Sequence, residues 1–333
     1  MYVKKRKEKK VGFIKVYRSK MELLWIMFFI LLVPQSLYSC QESKKCKTTR
    51  VYGLKTSDCY NKDIKEFPKC LASNVEVIDL SYNRIRRISK DDLEQYPYIT
   101  HLYLSDNLLT KLEKDTFSPL KNLQILDLSI NDLSTDSISE VFQIPTLKAL
   151  YLSQNINSNI VESIEKVNLS SQSTLTKLDI SYITAEGSSN FPDLCKFPMI
   201  AFLNVTGNQF NFISTRQFAG LCNLQILVNV NMSANFENHC DCWNINKWLA
   251  ARNVKFTAFK CPIKTKECMD EAISKENIIA YEKCRKKVDQ MRQYIFLSKI
   301  GIWIAVAVII ILILATFYGY NYWSKYKRQK TET

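Results

Sequence analysis

The sequence predicts an α/β solenoid: a horseshoe of stacked coils with a parallel β-sheet on its concave face, disulfide-capped ends and a single transmembrane helix. A nine-residue phrase of the form L-x-x-L-x-L-x-x-N starts at Val75 and recurs three times at intervals of 24 residues. Within each copy the spaced apolar side chains alternate with outward-pointing ones, as in a strand. A second apolar position, six residues before each copy, fills the convex half of the core.

About seven copies of the phrase can be counted. They occupy residues 75–83, 99–107, 123–131, 147–155, 175–183, 200–208 and 227–235. This pattern and period resemble the leucine-rich repeat family. The repeated Asn, replaced at Ile183, is interpreted as a buried ladder whose amides satisfy backbone groups at the strand ends. Between Asn155 and Leu175 the period stretches to 28 residues, so this junction is expected to be the weakest.

The chain divides into seven predicted segments. They are a basic leader and signal peptide (1–39), an N-terminal cap (40–74), the repeats (75–239), a C-terminal cap (240–284), a stalk (285–299), a transmembrane helix (300–323) and a short basic cytoplasmic tail (324–333). Met21 is an alternative start, and an uncleaved signal anchor is the alternative to a signal peptide. The 24 uncharged residues of 300–323 would span about 36 Å as a helix, enough to cross a bilayer.

The formal charge of +14 does not lie on the repeats. Residues 1–20 carry +8, residues 283–299 carry +5 and residues 324–333 carry +3, whereas residues 40–282 carry only −1. The basic residues flank the apolar segments, so we expect no nucleic-acid surface. Because both ends of the apolar helix are basic, charge alone leaves its orientation open. The leader and the cysteine caps predict a type I protein at the plasma membrane, with the repeats outside.

Eleven cysteines indicate an oxidising compartment, and the odd number leaves at least one thiol unpaired or paired between chains. The candidates for disulfides are Cys40, Cys46, Cys59 and Cys70 before the repeats, and Cys240, Cys242, Cys261 and Cys284 after them. The first group resembles the N-terminal cap of extracellular leucine-rich repeat proteins and predicts two disulfides whose pairing stays open.

The second group resembles the C-terminal cap of Toll-like receptors and Slit proteins, with a C-x-C motif, Trp248-Leu249 and two further cysteines. That resemblance implies pairing of Cys240 with Cys261 and of Cys242 with Cys284. Cys268 is not explained by it. Cys195 and Cys222 either bridge adjacent coils or stay as free thiols.

A candidate protein-binding face lies on the strands. One outward position of successive copies forms a column of acidic and phenolic side chains: Asp79, Tyr103, Asp127, Tyr151 and Asp179. Tyrosine on a rigid scaffold makes a good contact residue. The alternative is that the sequences LDLS and LYLS are common in this repeat and that the column residues within them have no role in binding.

Three N-glycosylation sequons begin at Asn168, Asn204 and Asn231. Asn204 and Asn231 are predicted to occupy the column position in the last two coils. Glycans there would shield the C-terminal half of the concave face, so protein ligands are expected on its N-terminal half or on a flank.

No catalytic or cofactor constellation appears in the sequence. His101 and His239 are far apart, and no metal-binding spacing, phosphate loop or nucleophile elbow occurs. We therefore expect neither an enzyme nor a cofactor. The leading hypothesis is a cell-surface recognition or adhesion protein that binds another protein through its solenoid, with homophilic association possible. The alternative is a co-receptor or decoy that modulates a signalling receptor, such as a Toll-like receptor, in the same membrane.

Overall fold

The computed structural model describes residues 40–169, 173–184, 190–236, 238, 240–262, 268 and 274–331. The predicted leader and signal peptide (1–39) lie outside the described residues, as does His239. The same holds for Ser170 to Gln172 in the lengthened junction between Asn155 and Leu175.

A nine-stranded sheet lines one face of the solenoid. Its strands are β1 (Lys47–Val51), β2 (Leu54–Asp58), β3 (Val77–Asp79), β4 (His101–Tyr103), β5 (Ile125–Asp127), β6 (Ala149–Tyr151), β7 (Lys177–Asp179), β8 (Phe202–Asn204) and β10 (Ile226–Val228). The first two strands form an antiparallel hairpin. Every later strand of this sheet pairs in parallel with the strand before it in the sheet, so β10 pairs with β8. A smaller parallel pair joins β9 (Gln209–Ile213) to β11 (Ser233–Phe236). The parallel sheet is the one predicted from the repeat.

Short helices cover the opposite, convex side. They are α1 (Lys90–Glu94), α2 (Thr135–Phe142), α3 (Ile160–Lys166), α4 (Thr215–Ala219) and α5 (Asp241–Ala250), and a long helix α6 (Lys275–Thr331) follows. Polar residues start several of them: the Ser134 side chain accepts from Ser137 N, and Asn159 accepts from Glu162 N. The buried positions of the helices and of the strands form one continuous apolar core.

An asparagine ladder fastens the end of each strand to the neighbouring coil. Asn107 Nδ2 donates to Leu80 O at 3.0 Å in the preceding coil and to Leu104 O at 3.1 Å in its own coil. Its Oδ1 accepts from Ile85 N at 3.0 Å. The other buried rungs are Asn83, Asn131, Asn155 and Asn208. Buried backbone groups that the strand ends would leave unsatisfied therefore receive partners, as the ladder interpretation requires.

A turn of positive φ precedes every ladder position. The residues are Tyr82, Asp106, Ile130, Gln154, Tyr182, Gly207 and Asn231, with φ between 51° and 70°. The left-handed region is unfavourable for a β-branched residue such as Ile130. At Gly207 a Cβ would lie 2.1 Å from the Tyr182 ring, so a side chain there would require that ring to move. The turn therefore follows from the coil geometry and not from a preferred turn residue.

The register of the last coil differs from the predicted one. The prediction began the final copy at Leu227 and ended it at Asn235, but Leu227 pairs with Leu203, which makes Leu224 the first position. The ladder position is then Met232, and Asn235 lies in β11. The frame that starts at Leu227 matches every position of the pattern, whereas the frame in the structure has Asn229 at the third apolar position and Met232 in place of the ladder Asn, so the sequence pattern favoured the wrong frame. The predictions that Asn235 belongs to the ladder and that Asn231 belongs to the column were wrong.

Five disulfides join ten of the eleven cysteines. The N-terminal cap contains Cys40–Cys70 and Cys46–Cys59, so its four cysteines form two bridges. The C-terminal region contains Cys222–Cys284, Cys240–Cys268 and Cys242–Cys261. Cys195 is free and exposed.

The pairing implied for the C-terminal cap, Cys240 with Cys261 and Cys242 with Cys284, was wrong. Cys240 and Cys242 are two residues apart at the start of α5. Their side chains therefore point in directions about 200° apart around the helix axis, so they bond to different cysteines. Cys268, unexplained by the resemblance, takes Cys240. Cys284 lies on α6, which packs against α4 and not against the start of α5, so it meets Cys222.

The helix α6 runs without interruption from the C-terminal cap through the apolar stretch. Its N-terminal part is fixed to the solenoid, because Cys284, Val288 and Met291 form a buried cluster with Met199 and Cys222. Residues 275–321 form the one described helix that is long and apolar enough to cross a membrane. The segments predicted as stalk and span thus share a single helix that starts on the solenoid.

Removing the Cys222–Cys284 bridge by the double substitution Cys222→Ser/Cys284→Ser is expected to lower the free energy of unfolding. A closed loop with a sequence separation of 62 corresponds to about 4 kcal/mol in the chain-entropy treatment. Thermal or chemical unfolding of the full chain in detergent measures the loss. Cys195→Ser, which removes a thiol but no bridge, is the matched control. Non-reducing peptide mapping that linked Cys284 to Cys242 would contradict this assignment.

Candidate protein-binding face

The predicted column lies on adjacent strands in one register. Successive Cα partners at the last strand position are Asp79, Tyr103, Asp127, Tyr151 and Asp179. Neighbouring strands are about 4.8 Å apart, so alternate carboxylates lie about 10 Å apart with a phenol between them. The structure therefore brings all five predicted residues together as one acidic and phenolic column.

The column extends beyond the predicted residues at both ends. Asp58, in the N-terminal hairpin, is the Cα partner of Asp79 and adds a fourth carboxylate. Asn204 follows Asp179, and Val228 follows Asn204. Sequence reasoning missed Asp58 because the hairpin carries no copy of the repeated phrase. The signal that could have found it is its position, 21 residues before Asp79 on an alternating strand.

Each column aspartate also makes a local hydrogen bond at the end of its strand. Asp79 Oδ1 accepts from Ser81 N at 2.9 Å, and Asp127 Oδ1 accepts from Ser129 N at 2.9 Å. This D-x-S arrangement is an Asx-type turn. This turn gives a structural reason for the D-x-S part of the repeated sequence and supports the alternative that the aspartates stabilise the fold. One oxygen of each carboxylate is thereby fixed in direction.

The second carboxylate oxygen distinguishes the aspartates from one another. Asp179 Oδ2 accepts from Asn204 Nδ2 at 2.8 Å, and Asp179 Oδ1 accepts from Ser181. Within the described part of the chain, no hydrogen bond or ion pair reaches Oδ2 of Asp79, whereas the Asp127 carboxylate also receives a side-chain hydrogen bond from Ser129. Among the described residues, neither of these two carboxylates is bound to a neighbouring coil, whereas Asp179 is bound to Asn204.

Burial controls the ionisation of the column. Partial burial is the main cause that raises the pKa of Asp127, and the carboxylates of Asp179 and Asp79 raise it further. Burial also raises the pKa of the Tyr103 phenol, with Tyr151, Asp79 and Asp127 adding to the effect. Tyr103 is therefore a neutral hydrogen-bond donor between two carboxylates at neutral pH.

The flank of the column is mixed in character. His101, beside it on β4, has its pKa lowered by burial and by the nearby Lys148 ammonium, so the imidazole is neutral at pH 7. Lys177 Nζ lies 5.0 Å from the centre of the Tyr151 ring and 4.7 Å from that of Phe202. Such cation–π contacts hold the ammonium at the C-terminal end of the column. The N-terminal end around Asp58, Asp79 and Asp127 stays acidic.

Exposed tyrosines border the column in the strand-end turns. Tyr82 and Tyr182 are each nearly half exposed, and the Tyr82 ring lies 5.0 Å from the ring of Tyr60. Tyr60 and Tyr82 give the N-terminal end an aromatic rim next to Asp79. Such residues bury large areas at a small cost in side-chain entropy.

The three sequon asparagines lie in different places. Asn204 is half-buried in β8 beside Asp179, and Asn231 is exposed in the turn after β10. Asn168 is exposed just beyond α3, on the convex side. Only Asn204 continues the column, while Asn231 borders its C-terminal end.

Nothing in the described ranges suggests chemistry at this face. They contain no group of three or more His, Cys, Asp or Glu side chains that could hold a metal ion. Two cavities, of about 400 Å³ beside residues 112–121 and of about 170 Å³ beside α5 and α6, both lie away from the column. An open surface of alternating carboxylates and phenols suits contact with a macromolecule better than enclosure of a small one.

Comparisons with known proteins agree with the repeat and cover only part of the chain. A family model described as a leucine rich repeat matches residues 97–156. Toll-like receptor 2 of Macaca mulatta and that of Macaca fascicularis are each 33% identical over 98 residues, which is 29% of this chain and 12% of each receptor. The match therefore spans a small part of the length of these relatives.

A solved internalin from Listeria monocytogenes is also similar, with a TM-score of 0.43, 16% identity and coverage of 62% of this chain and 67% of that chain. The 24-residue period, the parallel sheet with its asparagine ladder and the family match over residues 97–156 lead to one conclusion. The chain contains leucine-rich repeats, which the family model matches over residues 97–156.

Proposed function

We propose that this chain is a single-pass type I cell-surface protein that binds another protein through the N-terminal half of its concave face. The observation that carries the proposal is the continuous column in which the Asp79 and Asp127 carboxylates lie on either side of Tyr103 and, among the described residues, are not bound to a neighbouring coil. Leucine-rich repeat proteins generally mediate protein–protein interaction, which supports the class of function. Recognition or cell adhesion is the use that we assign to this face.

The chemistry of the column suggests the kind of partner surface. Ionised carboxylates about 10 Å apart, separated by a neutral phenol, pair with arginine or lysine side chains on a partner. The aromatic rim of Tyr60 and Tyr82 adds apolar contact area beside these charges. The partner surface we propose is therefore basic and carries apolar groups at its edge.

Two features support the proposed topology. Five disulfides suit an extracellular or luminal compartment, because reducing compartments keep thiols reduced. The apolar part of α6 has the length and composition of a membrane span. Together with the predicted leader, they favour repeats outside the cell and a span at residues 300–323.

A second function is favoured by the similarity to Toll-like receptor 2 over 98 residues. A repeat protein with such similarity could act as a co-receptor or decoy that modulates a signalling receptor in the same membrane. In this alternative the contact is lateral, between molecules of one cell, and the column faces a neighbouring ectodomain instead of another cell.

A two-colour cell-mixing assay separates these functions. Cells expressing the full chain are shaken with non-expressing cells of another colour. Clusters of expressing cells alone would indicate homophilic adhesion, and mixed clusters would indicate a partner on the other cell. Absence of clusters would contradict adhesion and favour the co-receptor function, which is then tested by crosslinking neighbours in the same membrane.

The double substitution Asp79→Asn/Asp127→Asn is expected to abolish the clusters. Asn keeps the Oδ1 acceptor for Ser81 N or Ser129 N but removes the charge. A hydrogen bond to a charged group is worth about 1.5–3 kcal/mol, so each lost carboxylate weakens binding roughly tenfold or more. The matched control is Asp115→Asn, because Asp115 is an exposed aspartate on the convex side. Equal clustering by the double variant and the control would exclude the column as the binding face.

The single substitution Asp127→Asn has an expected pH signature. Because the folded-state pKa of Asp127 is raised, its ionised form opposes folding at neutral pH. Replacement by Asn removes this cost, so the variant should melt at the same temperature as the wild type or higher at pH 7. The advantage should disappear as pH falls below the ordinary range of an aspartate. A variant that melts lower than the wild type at pH 7 and equals it only at acidic pH would contradict the raised pKa.

The sequons define how far the binding face extends. We expect Asn204, Asn231 and Asn168 to carry N-glycans in protein expressed in mammalian cells. A glycan on Asn204 uses one amide hydrogen and leaves the other for Asp179, so the column need not rearrange. Mass spectrometry of peptides after enzymatic deglycosylation reports each site. Unmodified Asn204 and Asn231 would remove the argument that the C-terminal half is shielded.

A further inference from the structure

A small basic cavity lies where the last coil meets α5 and α6. Its volume is about 170 Å³, and three arginines line it: Arg252 from the end of α5, and Arg285 and Arg292 from α6. No carboxylate is among the residues that line it in the described part of the chain. Three positive charges therefore converge without an acidic partner in the cavity wall.

Aromatic rings hold the first arginine in place. The Arg252 guanidinium carbon lies 3.3 Å from the centre of the Trp248 ring and 4.4 Å from that of Tyr281. One guanidinium nitrogen donates to Trp248 O at 3.2 Å. Arg252 Nε is buried and has no hydrogen-bond partner among the described residues. A buried donor without a partner is costly.

The other two arginines share one face of α6. Tyr281, Arg285 and Arg292 are separated by four and seven positions, which places them within about 40° of one another around the helix. A nitrogen of Arg292 donates to Asn223 Oδ1 at 2.5 Å, and Asp289 approaches Arg292 only at 3.9 Å on the exposed side. The disulfide Cys222–Cys284 fixes this face of the helix against the coil.

We propose that this cavity binds the phosphate or sulfate group of a ligand. Guanidinium groups are planar and offer paired donors that match the oxygens of such anions. The cavity is smaller than the roughly 300 Å³ at which sites for larger organic ligands begin, so it admits one anionic group and little more.

Two sources of that group fit the position of the cavity. Arg292 lies eight residues before Ile300, about 12 Å along a helix, so a lipid headgroup could approach from a membrane below. A soluble phosphate or sulfate ester could enter from the open side. Both present the same chemistry to the three arginines.

Thermal unfolding of the full chain in a neutral detergent tests the site with inorganic phosphate as the probe. About 20 mM phosphate is expected to raise the melting temperature by about 2–4 °C over chloride at equal ionic strength. Arg285→Gln should lose at least half of this shift, and Arg285→Gln/Arg292→Gln should lose all of it. Lys286→Gln, which removes the same charge from an exposed neighbouring position, is the matched control.

Arg285 makes no hydrogen bond or ion pair within the described ranges, so its replacement should leave the melting temperature in chloride unchanged. Arg292→Gln is the second single variant if Arg285→Gln does not fold. A wild-type protein without a phosphate-specific shift would overturn the proposal. So would an equal loss of the shift in Lys286→Gln and Arg285→Gln, because that would show general screening of charge.

Reconstitution into vesicles distinguishes the two sources. If the ligand is a lipid headgroup, phosphatidic acid added to phosphatidylcholine should raise the melting temperature in an Arg285-dependent manner and remove the further effect of phosphate. If it is a soluble ester, phosphate should keep its full effect in the presence of phosphatidic acid. An effect of phosphatidic acid that persists in Arg285→Gln/Arg292→Gln would speak against the cavity as the lipid site.

Discussion

The structure depends on how each coil satisfies the backbone where its strand ends. A three-residue strand leaves carbonyl groups in the core that have no strand partner, and the ladder asparagine donates to one in its own coil and to one in the coil before. Its oxygen accepts a backbone N–H of the preceding coil. Each asparagine amide therefore fixes two coils relative to each other. The same hydrogen bonds hold the residue before the asparagine at positive φ, although that conformation is unfavourable for most residues.

The register of the concave face follows from this constraint. If the strand ends are fixed from coil to coil, the outward residues at one strand position must form a straight column. The side chains on that column are then free to vary, within the local requirement that a strand-end acceptor such as Asp79 or Asp127 receives the N–H two residues later. The repeat thus fixes the position of each side chain and the direction of one carboxylate oxygen, and it leaves the Asp79 Oδ2 and the neighbouring Tyr103 phenol available for a ligand.

The fold and the central column could be predicted from the sequence because both depend on spacing within one coil. The final register could not, since Asn229 and Met232 replace the third apolar residue and the ladder Asn, and the pattern fits better in a frame three residues later. Asp58 was missed because the hairpin that carries it has a different local pattern. The partner of Cys284 and the convergence of Arg252 with Arg285 depend on how α6 docks against the last coil, and no periodicity in the chain encodes that contact.

The electrostatic character of the protein changes along its length. Carboxylates dominate the N-terminal part of the sheet, and guanidinium groups dominate the junction of α5 and α6. A partner for one region would be repelled by the other, so the two surfaces favour different ligands. The basic region belongs in part to residues 283–299, which carry +5 and include Arg285 and Arg292, whereas residues 40–282 carry only −1.

The continuous helix fixes how its apolar stretch is rotated about the helix axis relative to the solenoid. Because α6 is fixed to the coil by Cys222–Cys284 and continues as one helix into its apolar stretch, each residue of that stretch has a defined azimuth relative to the concave sheet. In the proposed membrane arrangement, a neighbouring protein that binds one side of the span would also determine the direction, in the plane of the membrane, in which the column faces. One residue inserted between Arg292 and Ile300 would turn that direction by about 100° and raise the solenoid by about 1.5 Å.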